Sequence, residues 1–432
     1  MSGTATFDTY FELDGATLDG NFDFANRFEF LGGYLAPESF IEIMAEASAL
    51  LAASAYDLEG TELHVAPDGR LDWTNGTIAA WDDGGIAVEG VMTMQGDLEI
   101  NDDGGEPAFF DVTGQFRKTS GEGLAKFDIP VDVSGRFEVQ SGSARFSHGG
   151  VSDGGVFDLW SGTRLDINDS YTFLGGSTVQ NGGDLNLNGG VFSISDQVDL
   201  GQHAAINGGV VTGTHTLSGR ITVDGGYFDS DGTTTIASGS ALEFGNVEVN
   251  VFDRSFVNNG QILWSDGDLS GSGENTLTNN GDFAIGVDGT FDAPGDDFAI
   301  INNGDFIKTA GTGTTTIDVP FTNNGVISAD VGQLRFTDLL TFAAGGTLGG
   351  GVEFDAPITL PNTSVLAGNG TIVGDITTGG RISPGNSIGS LNIEGDLNML
   401  ATASSFFEVN ADTGVVDSVS VSGALALNGN LS

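Results

Sequence analysis

The chain has 432 residues, with 13 Lys+Arg against 60 Asp+Glu, a net charge of −47, 69 Gly, 9 Pro and no Cys. Glycine without a G-X-Y register excludes collagen, and the missing cysteines exclude a disulfide scaffold and any Cys-based zinc or redox site. The acidic balance argues against nucleic acid and anionic membrane surfaces, both of which need Lys and Arg as counter-charges.

A disordered acidic chain is excluded by 30 Phe set among many Val, Ile and Leu, so the chain is expected to fold throughout. An acidic surface of this kind stays soluble at high ionic strength, where its self-repulsion is screened, and it suits an extracellular or cell-surface setting. The N-terminal MSGTATFDTYFELDG has neither a basic n-region nor an apolar h-region, and no apolar run is long enough to span a membrane.

Residues 1–60 are expected to form an N-terminal cap region. Within it, PESFIEIMAEASALLAASAY has helical spacing: Phe40, Ile43, Met44, Ala47, Leu50 and Leu51 fall on one face. Pro37 suits a first helical turn, and Glu38 and Glu42 complement a helix N-terminus. The spacing therefore predicts one short α-helix over 37–56, covering the end of the downstream repeats or docking a partner chain.

Residues 61–380 carry internal repetition. The segments 114–146 and 304–336 align without a gap at an offset of 190, pairing Phe116 with Phe306, Lys118 with Lys308, Gly135 with Gly325 and Phe146 with Phe336. Trp73 and Trp264 sit upstream at nearly the same offset. The phrases VQNGGDL, LNGGVFS, INGGVVT and VDGGYFD are followed by FVNNGQI, LTNNGDF, INNGDFI and FTNNGVI. The last four place Gly260, Gly281, Gly304 and Gly325 at steps of 21, 23 and 21, with apolar residues alternating on either side. Asn and Gly tolerate φ > 0, so these phrases read as tight turns between short strands. A constant turn phrase with a period near 21 residues predicts an all-β fold, a parallel β-helix (β-solenoid) with ~21-residue coils, apolar ladders inside and glycine at the corners.

The remaining residues, 381–432, continue the strand pattern and stop within it at ALALNGNLS, as expected of a piece of a longer chain. The stretch GNGTIVG, then SPGNSIG from Ser383 to Gly389, then alternating strands such as LNIEGDL, resembles the distal passenger region of bacterial autotransporters and related secreted β-helix adhesins. The segment KTAGTGTTTIDVPFTNNGVISADVGQLRF is similar to a rung type of such surface proteins. The resemblance is good over about 255–432, moderate over 71–254 and absent over 1–60. It implies a non-enzymatic stalk, adhesin or surface-layer element. Its partners would be a host or matrix surface, polysaccharide or protein; separately from the resemblance, copies of the chain could meet through solenoid ends or the N-terminal helix.

Chemistry is weighed against that reading. The acid pairs Asp82/Asp83, Asp102/Asp103 and Asp296/Asp297 each lie beside glycine and read as solvated turns. Arg117, Lys118 and Lys126 form the one modest basic cluster. GVSDG, Gly150 to Gly154, matches the letter of a nucleophile elbow but not its strand-then-helix context. His64, His148, His203 and His215 lack metal-ligand spacing. No catalytic, cofactor-binding or metal residue is therefore assigned, and no cofactor is expected beyond weak Ca²⁺ or Mg²⁺ binding as counter-ion. Two alternatives remain. One is a carbohydrate-active or carbohydrate-binding β-helix (lyase, hydrolase or tailspike-like receptor binder) with a groove lined by Trp73, Trp81, Trp160 and Trp264. The other is a self-assembling filament subunit.

Overall fold

The computed structural model describes residues 4–431 apart from 230–231, 246–247, 295–296, 344 and 386. It is an all-β parallel β-solenoid of about 19 turns. The chain divides into two units, Met1–Ile221 and Thr222–Ser432.

In the first unit the coils up to about residue 180 lay down three short strands each, like strands of successive coils pairing in parallel, and beyond it Asp184–Ile194 and Ala204–Thr212 each run through two rows. One face runs through Thr4–Phe7, Asn21–Phe24, Phe40–Ile43, Glu62–Val65 and Gly85–Val88. The second runs through Phe11–Leu13, Arg27–Phe30, Ser48–Leu51, Arg70–Trp73 and Val91–Gln95. A third includes Ala55–Glu59, Thr77–Trp81, Glu99–Asp102 and Leu124–Asp128. Alternate residues of each strand point inward, which puts Phe110, Phe116, Phe127, Phe137 and Phe146 in one buried column. Phe116 stacks on Phe137 at 4.7 Å between ring centroids. Burying a ring of this size contributes about 2–3 kcal/mol, so the aromatic column is a main source of cohesion.

The predicted helix over 37–56 does not form. Phe40–Ile43, Ser48–Leu51 and Ala55–Glu59 are strands, and the chain turns between them with Glu38 and Glu46 at φ 60 and 65. The same residues also fit a period of two: Ile41, Ile43, Ala47, Ala49, Leu51 and Ala53 are all buried. Ala, Glu, Leu and Met favour a helix in isolation. Here, however, a parallel strand waits on both sides, Asn21–Phe24 below and Glu62–Val65 above, and its pairing overrides the local preference. Residues 4–60 are thus coils of the solenoid rather than a helical cap.

The second unit repeats the plan with its own rows, for example Ser255–Asn258, Thr276–Asn279, Ala299–Asn302 and Phe321–Asn323. The period is looser than 21: one coil advances 17 residues from Thr6 to Asp23, another 28 from Ser390 to Ser418. The Asn-Asn-Gly corners also differ from the expected turn chemistry. None of their residues has positive φ. Glycine is needed there because a Cβ on Gly281 would lie 2.1 Å from the carbonyl oxygen of Gly260 one coil below, and one on Gly304 would lie 2.1 Å from that of Gly281. In the upstream Asn-Gly-Gly phrases the conformational reading holds, with Asn181, Gly182, Gly190 and Gly209 at φ 71, 75, 85 and 82.

Candidate functional site

Three polar assemblies stand out among the described residues, and the first is a matched pair of lysine cages. Lys118 lies within the strand Gln115–Ser120 and Lys308 ends the strand Asp305–Lys308, and both are fully buried. Lys118 Nζ donates to Asp97 Oδ1 at 3.0 Å and to the carbonyls of Ser120, Gly121 and Ser141 at 3.1, 2.8 and 2.9 Å. Lys308 Nζ donates to Asp288 Oδ1 at 2.7 Å, Val287 O at 2.8 Å and Thr315 Oγ1 at 2.9 Å. In each cage the other carboxylate oxygen accepts a backbone N–H, from Gly123 or Gly313 at 2.9 Å. The Lys308 ammonium, and then the Gly313 N–H, hold the Asp288 carboxyl below its ordinary value. A buried ammonium with this many acceptors ties a strand end to two neighbouring corners, and it presents nothing to a ligand.

The second assembly is an asparagine ladder. Asn258, Asn279, Asn302 and Asn323 are buried, and each passes its amide to the next: Nδ2 to Oδ1 distances are 2.7, 2.8 and 2.8 Å. Beside it the exposed Asn259, Asn280 and Asn303 and the half-buried Asn324 are linked in the opposite direction, at 2.9, 2.8 and 2.8 Å. The double asparagine of the repeat phrase is therefore one inner and one outer ladder, each satisfying amides that neighbouring coils would otherwise leave open.

The third lies on the second face of the first unit. Pairing aligns Arg117 with Glu138, Glu138 with Asp158 and Asp158 with Gln180, all outward, while Phe116, Phe137 and Phe157 point in. Glu138 is nearly buried. It accepts from Gln140 Nε2 at 2.8 Å and Trp160 Nε1 at 3.1 Å on one oxygen, and from Gln115 Nε2 at 3.1 Å on the other. Arg117 Nε lies 3.3 Å from that second oxygen. Asp158, fully buried, is ion-paired with Arg136 and hydrogen-bonded by Asn181. Above them Trp160 is 46% exposed. Arg136, Glu138, Asp158, Trp160, Ser161 and Asn181 line an open depression of about 490 Å³.

The other candidates are dispersed. Asp82 and Asp83 are exposed at φ 49 and 66, and Asp82 accepts Glu106 N at 3.1 Å. Asp102 and Asp103 are exposed as well, and Asp102 accepts Gly104 N at 2.7 Å. Asp297 is exposed, and Asp296 lies outside the described residues, as does Asn386 of the SPGNSIG block. The basic cluster comes apart. Arg117 faces Glu138, Lys118 is caged, and Lys126 reaches Glu99 at 3.1 Å on another face. Gly150–Asp153 is a strand with Ser152 fully buried, its hydroxyl 2.9 Å from that of Ser177, and no helix follows. His148 and His203 are exposed, and His215 is buried beside Ile194 O at 3.3 Å. His64 lies 3.9 Å from Glu42 and 3.7 Å from Glu89.

The tryptophans do not form a groove. Trp73 and Trp264 are fully buried, each indole N–H bound to a loop carbonyl at 2.9 Å, Asn75 O and Gly267 O. Trp81 is half-buried, and Trp160 is the one exposed tryptophan. On the first face, Asp111 is pushed up to about 6 by burial, with Asp132 and Glu62 adding repulsion. Among the described residues no three His, Asp or Glu side chains converge as a metal site would require. At one end of the second unit a cavity of about 320 Å³ is apolar, lined by Ile382, Leu397, Met399, Val419 and Leu425 among others.

Sequence reasoning missed Asp97, Asp288, Glu138 and Asp158. A signal was present for the first two, since Asp97 and Asp288 stand 191 residues apart, close to the offset of the duplication. Comparison of the chain with protein-family models, with curated proteins and with solved structures returns no match in any of the three.

Proposed function

We propose that the chain is a non-enzymatic adhesive or stalk element of an extracellular or cell surface, built like the passenger regions that its C-terminal sequence resembles. One observation carries this reading. The acid pairs Asp82/Asp83 and Asp102/Asp103 sit in exposed turns, and Lys118, Lys308, Glu138 and Asp158 are already held by partners one coil away. General acid–base chemistry needs such groups free and converging on one reacting bond. A solenoid instead offers long outward rows, and adhesion can draw on any of them. The test incubates the purified protein with a panel of neutral and anionic polysaccharides, and separately with polysaccharide- and matrix-protein-coated beads. Retention on beads without chain cleavage supports the reading; cleavage at enzyme-like rates refutes it.

A further inference from the structure

The Trp160 depression belongs neither to the cages nor to the ladders, and its chemistry is specific. The indole is immobilised. Its Nε1 donates to Glu138 at 3.1 Å, its backbone N–H to Val139 O at 3.0 Å, and its carbonyl accepts from Thr163 Oγ1 at 2.8 Å. A ring held by its N–H edge and left 46% exposed presents a rigid apolar surface that needs no further ordering on binding. Around it stand uncharged or internally neutralised polar groups. Glu138 is matched by Arg117 and Asp158 by Arg136, so neither carboxylate is left over to draw a cation. Ser161 and Asn181 complete the rim. A net charge of −47 over the chain disfavours polyanions. What remains is an aromatic plane beside hydrogen-bonding groups of both signs with no net charge. A pyranose ring is the complement: one face of C–H groups and an edge of hydroxyls.

We propose that this depression binds a pyranose unit of a neutral glycan, with Trp160 as the stacking platform and Arg136, Ser161 and Asn181 contacting hydroxyls. Glu138 acts as a positioning residue that fixes the indole. This rests on the adhesive reading and gives it a ligand class.

The full chain and its variants are titrated by isothermal titration calorimetry with neutral hexasaccharides of glucose (α- and β-linked), mannose and N-acetylglucosamine. Saturable binding of at least one hexasaccharide is expected, weakened more than tenfold in Trp160→Ala and about three- to tenfold in Trp160→Phe. The phenylalanine variant guards against misfolding of the alanine one, and the urea midpoint of each is measured alongside. No saturation with any hexasaccharide, or unchanged affinity in Trp160→Ala, overturns the site. Bead retention separates the two ideas. If Trp160→Ala is retained like the wild type, the site falls and adhesion stands. If the wild type is retained on no surface, adhesion falls and the titration alone judges the site.

Discussion

Replacing Lys118 by methionine keeps the length and apolar stem of the side chain and deletes its ammonium. The wild-type amine reaches four oxygens at 2.8–3.1 Å, three of them backbone carbonyls at coil corners. Asp97, whose side chain is 38% exposed, can turn to water after the change. The carbonyls of Ser120, Gly121 and Ser141 cannot do so easily, because methionine fills the space the amine occupied. Each buried acceptor left without its donor costs about 1 kcal/mol or more, and the thioether regains some favourable burial. The net loss should be about 2–4 kcal/mol. Urea unfolding reads the total, and amide hydrogen exchange reads its location: protection should fall over residues 118–142 first. Lys308→Met should act alike on 287–315, where the amine holds Val287 O, Asp288 and Thr315. A loss below about 1 kcal/mol for both variants, or exchange unchanged around the cages, would refute the view that these lysines tie coils together.

Other expectations rest on the same kinds of contact. Asp111 has its folded carboxyl raised from 3.8 to about 6, so the fold disfavours its ionised form. Its contribution is neutral below about pH 4 and turns unfavourable as pH rises through about 6. Asp111→Asn should remove that slope and raise stability at pH 7 by about 1 kcal/mol after allowing for solvent screening, read as the difference in urea midpoint between pH 4 and pH 7. Gly281→Ala would push a methyl to 2.1 Å from Gly260 O and should cost about 2 kcal/mol or more by thermal melting. Gly189→Ala meets no atom within 4 Å and should cost only the strain of φ 132, about 1–2 kcal/mol. Asn279→Leu breaks the buried ladder and should cost about 2–3 kcal/mol, whereas Asn280→Leu on the exposed ladder should change the urea midpoint by under about 0.5 kcal/mol equivalent.

Much of the architecture is legible in the chain because a solenoid is built from local phrases. Alternating apolar residues and the recurring Asn-Asn-Gly announce stacked coils, and the two asparagines of the phrase became the inner and outer ladders. Residues 37–56 mislead because Ile41, Ile43, Ala47 and Leu51 satisfy a strand period while Phe40, Met44 and Leu50 complete a helical one. The identity of Lys118 and Lys308 as a pair is visible from the offset of the copies. Their partners Asp97 and Asp288 recur at nearly the same offset, but that they meet the amines shows only when the coils stack. The Trp160 depression was hidden for the same reason. Its six residues come from positions 136 to 181, spread over three coils.

The amino-acid order by itself determined the class of fold, the parallel stacking and the places where glycine must stand. Those depend on near-neighbour periodicity and on chain chemistry at corners. Only the tertiary structure decided that 37–56 pairs as strands, that two lysines are caged, and that one tryptophan of four faces solvent over a neutralised carboxylate pair. Each of these turns on which side chains successive coils bring into register. Coils here advance by anything from 17 to 28 residues, so no fixed spacing in the sequence could specify it.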